Sequence, residues 1–325
     1  MKTITGILIS YALAVPSAPA AAQGDMQHQV ERIVSSALTL AADALDDLVD
    51  ARAARQRGSR VRDDRGPEYT EKFEKTVRLG RNGRLELTSL SGDVEITGGS
   101  GDDVKITATK ITHSGNEQNA RAALGAMAIE VNERPGGVAI AAQPTRGRTN
   151  SVEVDYVISV PSGTSLDLKT YSGDVTIRNI AADVRLKSYS GDVVIRDGKP
   201  TIDLESISGD VSIEQIESER VKVNSISGDV IFRGKLSKTG RYELSTNSGD
   251  VQVITDGGAN FEVEARTFSG DVSSDFAMKL GTLPSSLTAN GRGARRNNDI
   301  RGTVNDGGAL LSLHSFSGDI LITKR

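Results

Sequence analysis

The sequence of 325 residues contains no cysteine and no tryptophan, and its only histidines are His28, His113 and His314. The lack of cysteine excludes disulfides, a thiol nucleophile and a lipid-modified cysteine. Three histidines far apart in the sequence leave few groups for acid–base catalysis. Aromatic residues make up 4% of the chain, and the formal net charge is -4. This charge gives no support to nucleic-acid binding, which requires a basic face.

One tetrapeptide, Ser-Gly-Asp followed by Val or Ile, occurs eight times along the chain. From Gly173 to Gly270 its glycines follow one another at a near-constant step of about 18–21 residues, which is typical of repeat proteins. In such proteins each unit buries its apolar face against its neighbours. We call each glycine–aspartate pair a repeat corner. The eight corners are Gly92 and Asp93, Gly173 and Asp174, Gly191 and Asp192, Gly209 and Asp210, Gly228 and Asp229, Gly249 and Asp250, Gly270 and Asp271, and Gly318 and Asp319.

Apolar and polar residues alternate on both sides of each corner. We call the residue directly before Ser-Gly-Asp the lead residue. In the regular repeats the residues five and three positions before it, and four and six positions after it, are apolar, as in Val184, Leu186, Val193 and Ile195. This alternation predicts two short strands per repeat. Glycine suits the corner between them because it adopts positive φ without a Cβ penalty.

The outward position four residues before the lead residue carries charges of alternating sign from repeat to repeat. It reads Asp167, Arg185, Asp203, Lys222 and Glu243. Neighbouring strands lie about 4.8 Å apart, so opposite charges at one height attract each other. We therefore expect an all-β fold, a parallel β-solenoid of two-strand coils with a period of about 18–21 residues.

The segment 1–67 differs from the repeats. Residues 1–22 have a basic start, a short apolar run and small residues before Gln23, which predicts a secretory signal peptide. We expect cleavage after Ala22, a periplasmic or extracellular location, and no membrane span in the mature chain. Residues 23–67 are predicted to form an amphipathic helix over 25–51 and then a basic linker. That helix either docks on one end of the stack or forms an interfacial or oligomerising surface.

Residues 68–325 are expected to form the solenoid. Strands within 68–160 are predicted to cover its N-terminal end, with one short helical insertion between Asn116 and Met127. The interval from Gly270 to Gly318 is more than twice the usual step between corners, which is too long for one coil. We predict a hairpin-like excursion there, followed by a final coil.

Several of these segments, taken in order, resemble the DUF4097 family of β-strand-repeat, adhesin-like proteins. They are the opening strand Gly83–Leu87, the alanine-rich stretch 116–127, the strand Val154–Pro161 and the glycine-rich return before Phe316. The resemblance covers residues 68–325 and implies a β-solenoid in the bacterial envelope, without an assigned reaction. We expect an exported, non-catalytic interaction, adhesin-like or scaffold module. The alternatives are a carbohydrate-active solenoid enzyme, of the lyase or hydrolase type, and an envelope-stress sensor.

All eight corners keep aspartate, and stacking would bring their carboxylates within about 5 Å of each other, a repulsion of about 1 kcal/mol per pair even in water. One interpretation is that backbone N–H groups or the serine hydroxyl at the corner bind each carboxylate. The other is a ladder of cations, for which calcium fits the oxygen ligands. We predict no catalytic residue, no dedicated metal site and no other cofactor.

The lead residues present a conflict, because period 2 places them outward although seven of the eight are apolar. Either the alternation breaks at the corner and the lead residue turns into the core, or the stack carries an exposed apolar stripe. Such a stripe would be covered by the helix over 25–51, or would bind an envelope protein or glycan, or would mediate self-association. The candidate interaction stripe consists of Leu90, Tyr171, Tyr189, Ile207, Ile226, Phe268 and Phe316, and Asn247 is the eighth lead residue.

Overall fold

The structure is a computed structural model that describes residues 66–144, 152–280 and 298–325. These residues lie in one compact unit, Arg65–Arg325. The predicted signal peptide and the predicted helix over 25–51 lie outside the described residues. No helix within the described ranges is long and apolar enough to cross a bilayer.

The elements that precede the regular repeats are mostly strands. In chain order they are β1 (Glu68–Arg78), β2 (Arg84–Ser89), β3 (Val94–Gly99), β4 (Asp103–His113), the helix α1 (Glu117–Ala126), β5 (Met127–Arg134), β6 (Gly137–Pro144) and β7 (Val152–Pro161). Helix α1 is the predicted helical insertion. Its N-cap residue Asn116 accepts the N–H of Gln118 at 2.8 Å, and Ala120 and Leu124 are buried.

Each regular repeat consists of one strand before the corner and one strand after it. The pairs are β8 (Ser165–Thr170) and β9 (Val175–Ile180), β10 (Val184–Ser188) and β11 (Val193–Gly198), β12 (Ile202–Ser208) and β13 (Val211–Ile216), β14 (Arg220–Ser227) and β15 (Val230–Gly234), β16 (Arg241–Ser248) and β17 (Val251–Thr255), and β18 (Phe261–Ser269) and β19 (Val272–Ser274). The chain then continues through β20 (Met278–Leu280), β21 (Asn298–Val304), β22 (Ala309–Ser317) and β23 (Ile320–Lys324).

The two strands of each coil belong to two different sheets. The strands before the corners form a sheet that we call the lead sheet, in the order β20-β21-β18-β22-β16-β14-β12-β10-β8-β2-β6-β5. The strands after the corners form the return sheet, in the order β1-β4-β7-β3-β9-β11-β13-β15-β17-β23-β19. Regular coils pair in parallel and in register, so that Val184 lies beside Ile202 and Val193 beside Val211. The predicted parallel β-solenoid of two-strand coils is confirmed.

The core lies between the two sheets. Val184, Leu186, Val193 and Ile195 are at most 1% exposed, as are their counterparts in the coils on either side apart from Leu166 at 2%. Burying one such side chain contributes about 1.5–3 kcal/mol. A single coil has only one apolar layer to bury, so the stack becomes stable through several coils together.

The two ends of the stack are built differently from its middle. At the N-terminal end β1, β4 and β7 pair antiparallel on the return sheet, while β5 and β6 extend the lead sheet. Strand β1 is an edge strand that exposes Glu71, Lys72 and Glu74. Charged residues of this kind oppose pairing of an edge with another chain.

At the other end, spatial order departs from chain order. The predicted hairpin-like excursion is present, because β20 and β21 pair antiparallel and β21 continues along β18. The coil of β22 and β23, however, is not at the end of the stack. It lies between the coil of β16 and β17 and the coil of β18 and β19. This places β19, a strand of only three residues, at the outer edge of the return sheet, where a short edge offers little to a foreign strand.

Candidate functional site

The corner carboxylates form an unbroken chain of hydrogen bonds with backbone amides. The N–H of Asp192 donates to Oδ1 of Asp174 at 2.8 Å, and the N–H of Asp210 donates to Oδ1 of Asp192 at 2.8 Å. The same bond, 2.7–2.9 Å long, joins all neighbours in the spatial order Asp155, Asp93, Asp174, Asp192, Asp210, Asp229, Asp250, Asp319 and Asp271. Backbone N–H groups are therefore the carboxylate partners, and each comes from the neighbouring coil rather than from the same corner.

The first member of this chain was missed at the sequence level. Asp155 lies in β7, within Val154–Tyr156 rather than in a Ser-Gly-Asp corner, yet it accepts the N–H of Asp93 at 2.9 Å. The signal available in the sequence was the alternation of β7, which places Asp155 between the buried residues Val154 and Tyr156. Burial raises the pKa of Tyr156 above its ordinary value.

The corner glycines permit the close approach that these bonds require. Gly209 has a φ of 115°, and a Cβ added to it would lie 2.2 Å from the carbonyl oxygen of Gly191. The other corner glycines have φ between 109° and 152°, with the same contact at 2.0–2.4 Å. A side chain at this position would push neighbouring coils apart. The corners are therefore structural parts of the stack.

A calcium ladder at the corners stays a prediction. Within the described ranges, no group of three or more His, Asp or Glu side chains is placed to hold a metal ion. The backbone bond uses Oδ1 along the chain of aspartates, which leaves the second carboxylate oxygen, Oδ2, as the more open position for a cation. The corners thus have an electrostatic partner that needs no ion.

A column of small hydroxyl side chains lies just inside the corners. Its members directly precede the lead residues, are at most 7% exposed, and are Ser89, Thr170, Ser188, Ser206, Ser225, Thr246, Ser315 and Thr267 in spatial order. Thr246 donates to the carbonyl of Gly228 at 3.0 Å, and Ser315 donates to that of Gly249 at 3.0 Å. By contrast, the hydroxyl oxygens of Ser188 and Ser206 are buried without a hydrogen-bond partner. The inward column therefore contains both satisfied and unsatisfied hydroxyls.

The lead residues form one column on the outer face of the lead sheet. In spatial order they are Leu90, Tyr171, Tyr189, Ile207, Ile226, Asn247, Phe316 and Phe268. Phe268 is 61% exposed, Phe316 54% and Leu90 45%, and the two isoleucines are half-buried by their neighbours. The lead residues do not turn into the core, and the seven predicted stripe residues lie together, with Asn247 as one polar interruption. We call these eight residues the lead stripe.

Aromatic lead residues stack on each other along the solenoid. The rings of Tyr171 and Tyr189 are 4.7 Å apart between centroids with an interplanar angle of 4°, and those of Phe268 and Phe316 are 4.8 Å apart, also at 4°. The planes of two stacked rings stay at least about 3.5 Å apart because of carbon–carbon contact. At these centroid distances, the line between the two centroids is therefore tilted by at most about 40° from the perpendicular to the ring planes. That line follows the stack, because the paired residues belong to adjacent strands. The rings therefore turn their faces to each other and present mainly their edges to solvent.

Two columns of mostly polar and charged residues run parallel to the lead stripe. Four positions before the lead residue, the register places Arg185 between Asp167 and Asp203, and Lys222 between Asp203 and Glu243. The predicted order of alternating charges is thus confirmed. Among the described residues, however, Arg185, Asp203, Lys222 and Glu243 have no ion-pair partner within 4 Å. We call the positions from Asp167 to Glu243 in this column the charge column.

Ion pairs form instead in the column two positions before the lead residue. Lys187 lies 2.8 Å from Glu205 on the next strand, and this hydrogen bond raises the pKa of Lys187. On the return sheet, Arg178 pairs with Glu95 and Arg196 with Glu214, both at 3.2 Å. Pairs this exposed contribute about 0–1 kcal/mol each. They support the register more than the stability.

A shallow groove at the C-terminal end of the lead sheet is lined in part by a serine that contacts a histidine. Its volume is about 420 Å³, and its lining includes Arg241, Glu264, Arg301 and Ser312. Ser312 Oγ lies 3.0 Å from Nε2 of His314, whose pKa is lowered by burial and by Arg266. Arg301 binds Glu264 at 2.7 Å. Within the described residues no carboxylate is hydrogen-bonded to the histidine, so an orienting third group is lacking.

Of the other two histidines, His113 is far from this groove. His113 lies in β4 at the N-terminal end, with Nε2 at 3.8 Å from Glu68. His28 lies outside the described residues. The fold therefore does not bring His113 and His314 together into a site.

Comparison with known proteins gives a family match over part of the chain. Residues 82–238 match the model of the Toastrack DUF4097 family, a range that includes five of the eight corners. No curated protein matches the chain.

Among solved structures, a proposed cell adhesion protein from Clostridium sporogenes matches at 10% identity and a TM-score of 0.37, over 79% of this chain and all of that one. Proposed adhesins from Bacteroides fragilis, at 11% identity and a TM-score of 0.31, and Parabacteroides distasonis, at 10% and 0.33, match over 78% of this chain and 97% of theirs. The resemblance to DUF4097 read from the sequence is confirmed over residues 82–238, where the chain matches the Toastrack DUF4097 model.

Proposed function

We propose that this protein is an exported, non-catalytic interaction module of the bacterial cell envelope, and that the lead stripe is its contact surface. The single observation that carries the proposal is the stripe itself. Eight lead residues, seven of them apolar, stand in one column on the outer face of a sheet whose other outward columns are mostly polar. Contiguous apolar surface of this kind on a water-soluble domain is generally a binding site.

The shape of the stripe favours a protein surface over a sugar ring as its target. Sugars stack on the open faces of aromatic rings, whereas Tyr171 and Tyr189 use those faces on each other. The stripe offers ring edges and the branched side chains of Ile207 and Ile226, which form a narrow apolar ridge. A ridge packs well against another row of apolar side chains, with shape complementarity similar to that of a protein interior.

A paired substitution tests this function. Tyr189→Ser with Ile207→Ser should leave the fold intact, because both side chains point outward, and should abolish binding to envelope fragments of the source bacterium. The matched control is Val194→Ser with Ile231→Ser, which removes two half-buried apolar residues from the outer face of the return sheet. Unchanged binding by a folded stripe variant contradicts the proposal. Binding that purified glycan strands alone reproduce would shift the partner class from protein to glycan.

Export forms part of the proposal and has its own measurement. The predicted signal peptide requires that the native protein begin near Gln23. N-terminal sequencing of the protein from an envelope or extracellular fraction should show that start. An intact Met1 in a cytoplasmic fraction contradicts export.

The Ser312–His314 contact gives a reason to test the carbohydrate-active alternative. A serine in contact with an imidazole whose pKa is lowered by burial resembles part of a nucleophile–base pair. Purified protein should release no new reducing ends or unsaturated products from envelope glycans. Turnover that Ser312→Ala abolishes would assign this groove an enzymatic function and contradict a non-catalytic module.

A further inference from the structure

We infer that the lead stripe docks against the lead stripe of a second copy of this chain, with the two stacks running in opposite directions. This inference rests on the proposed function, since it names the partner of the same surface. The two-fold axis lies along the strand direction, midway between the strands that carry Ile207 and Ile226. Two-fold dimers use the same patch on both copies and therefore need a self-complementary surface.

The symmetry determines which residues meet. A half-turn about an axis parallel to the strands keeps each column opposite the same column and reverses its order along the stack. Within each column, the first position of one copy then faces the eighth position of the other copy, and the fourth position faces the fifth. Self-complementarity can therefore be read directly from the order of residues in each column.

The lead stripe is self-complementary under this reversal. Ile207 faces Ile226 of the second copy at the centre, and Tyr171 faces Phe316 further out. The one polar lead residue, Asn247, faces Tyr189, whose hydroxyl group can donate to or accept from an amide. Apolar positions thus meet apolar positions, and the single polar position meets the aromatic residue best able to bond with it.

The charge column is complementary at its centre under the same operation, whereas further out Asp167 faces Ser312. The outermost residues of the same rows, Glu86 and Glu264, also face each other, and each is paired with an arginine of its own chain. At the centre, Asp203 faces Lys222 of the second copy, and Arg185 faces Glu243. Each contact occurs twice by symmetry, which gives four contacts between opposite charges. These four residues have no ion-pair partner within 4 Å in the described part of the chain, so their charged ends are available to another molecule. Complementary charges of this kind fix the register of an interface.

The other two-fold arrangement brings no opposite charges together. An axis along the stack places each rung opposite itself, and a contact face that includes all three columns is then centred on the column two positions before the lead residue. Lys187 would then face Lys187, and Glu205 would face Glu205, while the apolar stripe would face the charge column. Like charges in contact oppose association. With the axis on the lead stripe instead, each lead residue meets itself but the charge column lies outside the contact. The antiparallel arrangement is therefore the one that uses both the stripe and the charge column.

The available area fits a weak, reversible dimer. Seven steps of about 4.8 Å give the stripe a length of about 34 Å, and the columns from the charge column to the stripe span about 17 Å including side chains. The product is about 600 Å² per copy, or about 1,200 Å² in total, which is the lower end of the range for specific protein–protein interfaces. We expect a dissociation constant of the dimer in the micromolar range. The local concentration of the protein at an envelope surface would then determine how much of it is dimeric.

A charge swap in the mature full chain tests the dimer by sedimentation equilibrium. Arg185→Glu alone and Glu243→Arg alone should each weaken association by about tenfold or more, because each replaces two opposite-charge contacts with two like-charge contacts. Arg185→Glu combined with Glu243→Arg should restore it to within about threefold of the original. Arg233→Glu on the return sheet changes net charge equally and should leave association unchanged.

Cysteine cross-linking provides a second measurement that does not depend on charge. The chain has no native cysteine to compete. A mixture of Ile207→Cys and Ile226→Cys chains should form the mixed disulfide faster than either chain cross-links with itself, since these two positions face each other across the axis. Preferential Ile207→Cys self-linking contradicts the antiparallel register.

The outcomes separate this inference from the proposed function. A wild-type chain that is monomeric at about 100 μM, or a dimer insensitive to Arg185→Glu, overturns the inferred dimer. If the Tyr189→Ser and Ile207→Ser variant still loses envelope binding in that case, the stripe remains a contact surface with a different partner. If that variant binds envelope material normally while the charge swap behaves as expected, the proposed function fails and the dimer stands.

Discussion

The backbone N–H of Asp192 donates to Oδ1 of Asp174 across two successive coils, at 2.8 Å. The carboxylate of Asp192 in turn accepts the N–H of Asp210. Every corner aspartate in the interior of the stack thus has two roles: its amide bonds to one neighbouring coil and its side chain to the other. Since each bond to a charged group contributes about 1.5–3 kcal/mol, repetition of this contact is a major directional element of the stack.

When one of these carboxylates is replaced, the size of the destabilisation should depend on whether the new side chain keeps a hydrogen-bond acceptor. Asp192→Ala leaves the N–H of Asp210 without its acceptor and should lower the free energy of unfolding by about 1–3 kcal/mol. Asp192→Asn keeps an acceptor oxygen and should cost less. Urea unfolding followed by circular dichroism measures both. Asp183→Ala, at an exposed position just before β10, is the control, and an equal loss there would show that the ladder contact is not the cause.

Any side chain at a corner glycine should destabilise the fold. One cause is the positive φ, and the other is the close contact with the backbone of the neighbouring coil. Gly209→Ala places a Cβ 2.2 Å from the carbonyl oxygen of Gly191 and should cost about 3 kcal/mol or more. Gly136 also has a positive φ, 74°, but no atom lies within 4 Å of a Cβ there. Gly136→Ala should therefore show the strain of a positive φ near the left-handed region without any close contact, about 1–2 kcal/mol. Similar losses of thermal stability in both variants would contradict the importance of the close approach.

The buried hydroxyl column should respond in opposite ways at two positions. Ser206 buries a hydroxyl without a partner, so Ser206→Ala should be neutral or stabilise the fold by up to about 1 kcal/mol. Thr246→Val removes the bond to the Gly228 carbonyl and should destabilise by about 1–2 kcal/mol at similar side-chain volume. Thermal unfolding of both variants gives the comparison. Destabilisation by Ser206→Ala beyond about 1 kcal/mol would show that this hydroxyl has a favourable contact.

Much of the repeat could be predicted because its signals are local. The spacing of Gly173, Gly191 and Gly209 gives the period, and alternation around each corner gives the inward residues, such as Leu186 and Ile195. Neither signal depends on which coil lies beside which. The outward direction of Tyr189 follows from the same alternation, but its apolar character pointed to the core. Only the neighbouring coils in the structure resolve that conflict.

Features that depend on spatial neighbours could not be predicted from local pattern. Asp155 joins the carboxylate chain because β7 happens to stack beside β3, and nothing in Val154–Tyr156 marks a corner. The donor to each carboxylate lies on another coil, which a turn motif read within one repeat does not reveal. The placement of β22 between β16 and β18 is likewise a choice among strand pairings that have similar local sequences.

That placement leads to the last prediction, which concerns the C-terminal coil. Strand β22 pairs with β16 on one side and β18 on the other, and β23 likewise separates β17 from β19. Removing residues 309–325 therefore takes out an interior layer rather than an end layer, and it leaves β18 paired only with β21.

Amide hydrogens of residues 261–274 should exchange much faster in the truncated chain, because their parallel partners and the aromatic contact of Phe268 with Phe316 are gone. Amides of residues 184–216, which lie several coils away, should keep their protection and act as the internal reference. Hydrogen exchange followed by mass spectrometry measures both regions in one sample. Full protection of 261–274 after truncation would show that this coil can stack directly on β16 and β17, and the observed spatial order would then not be required for stability.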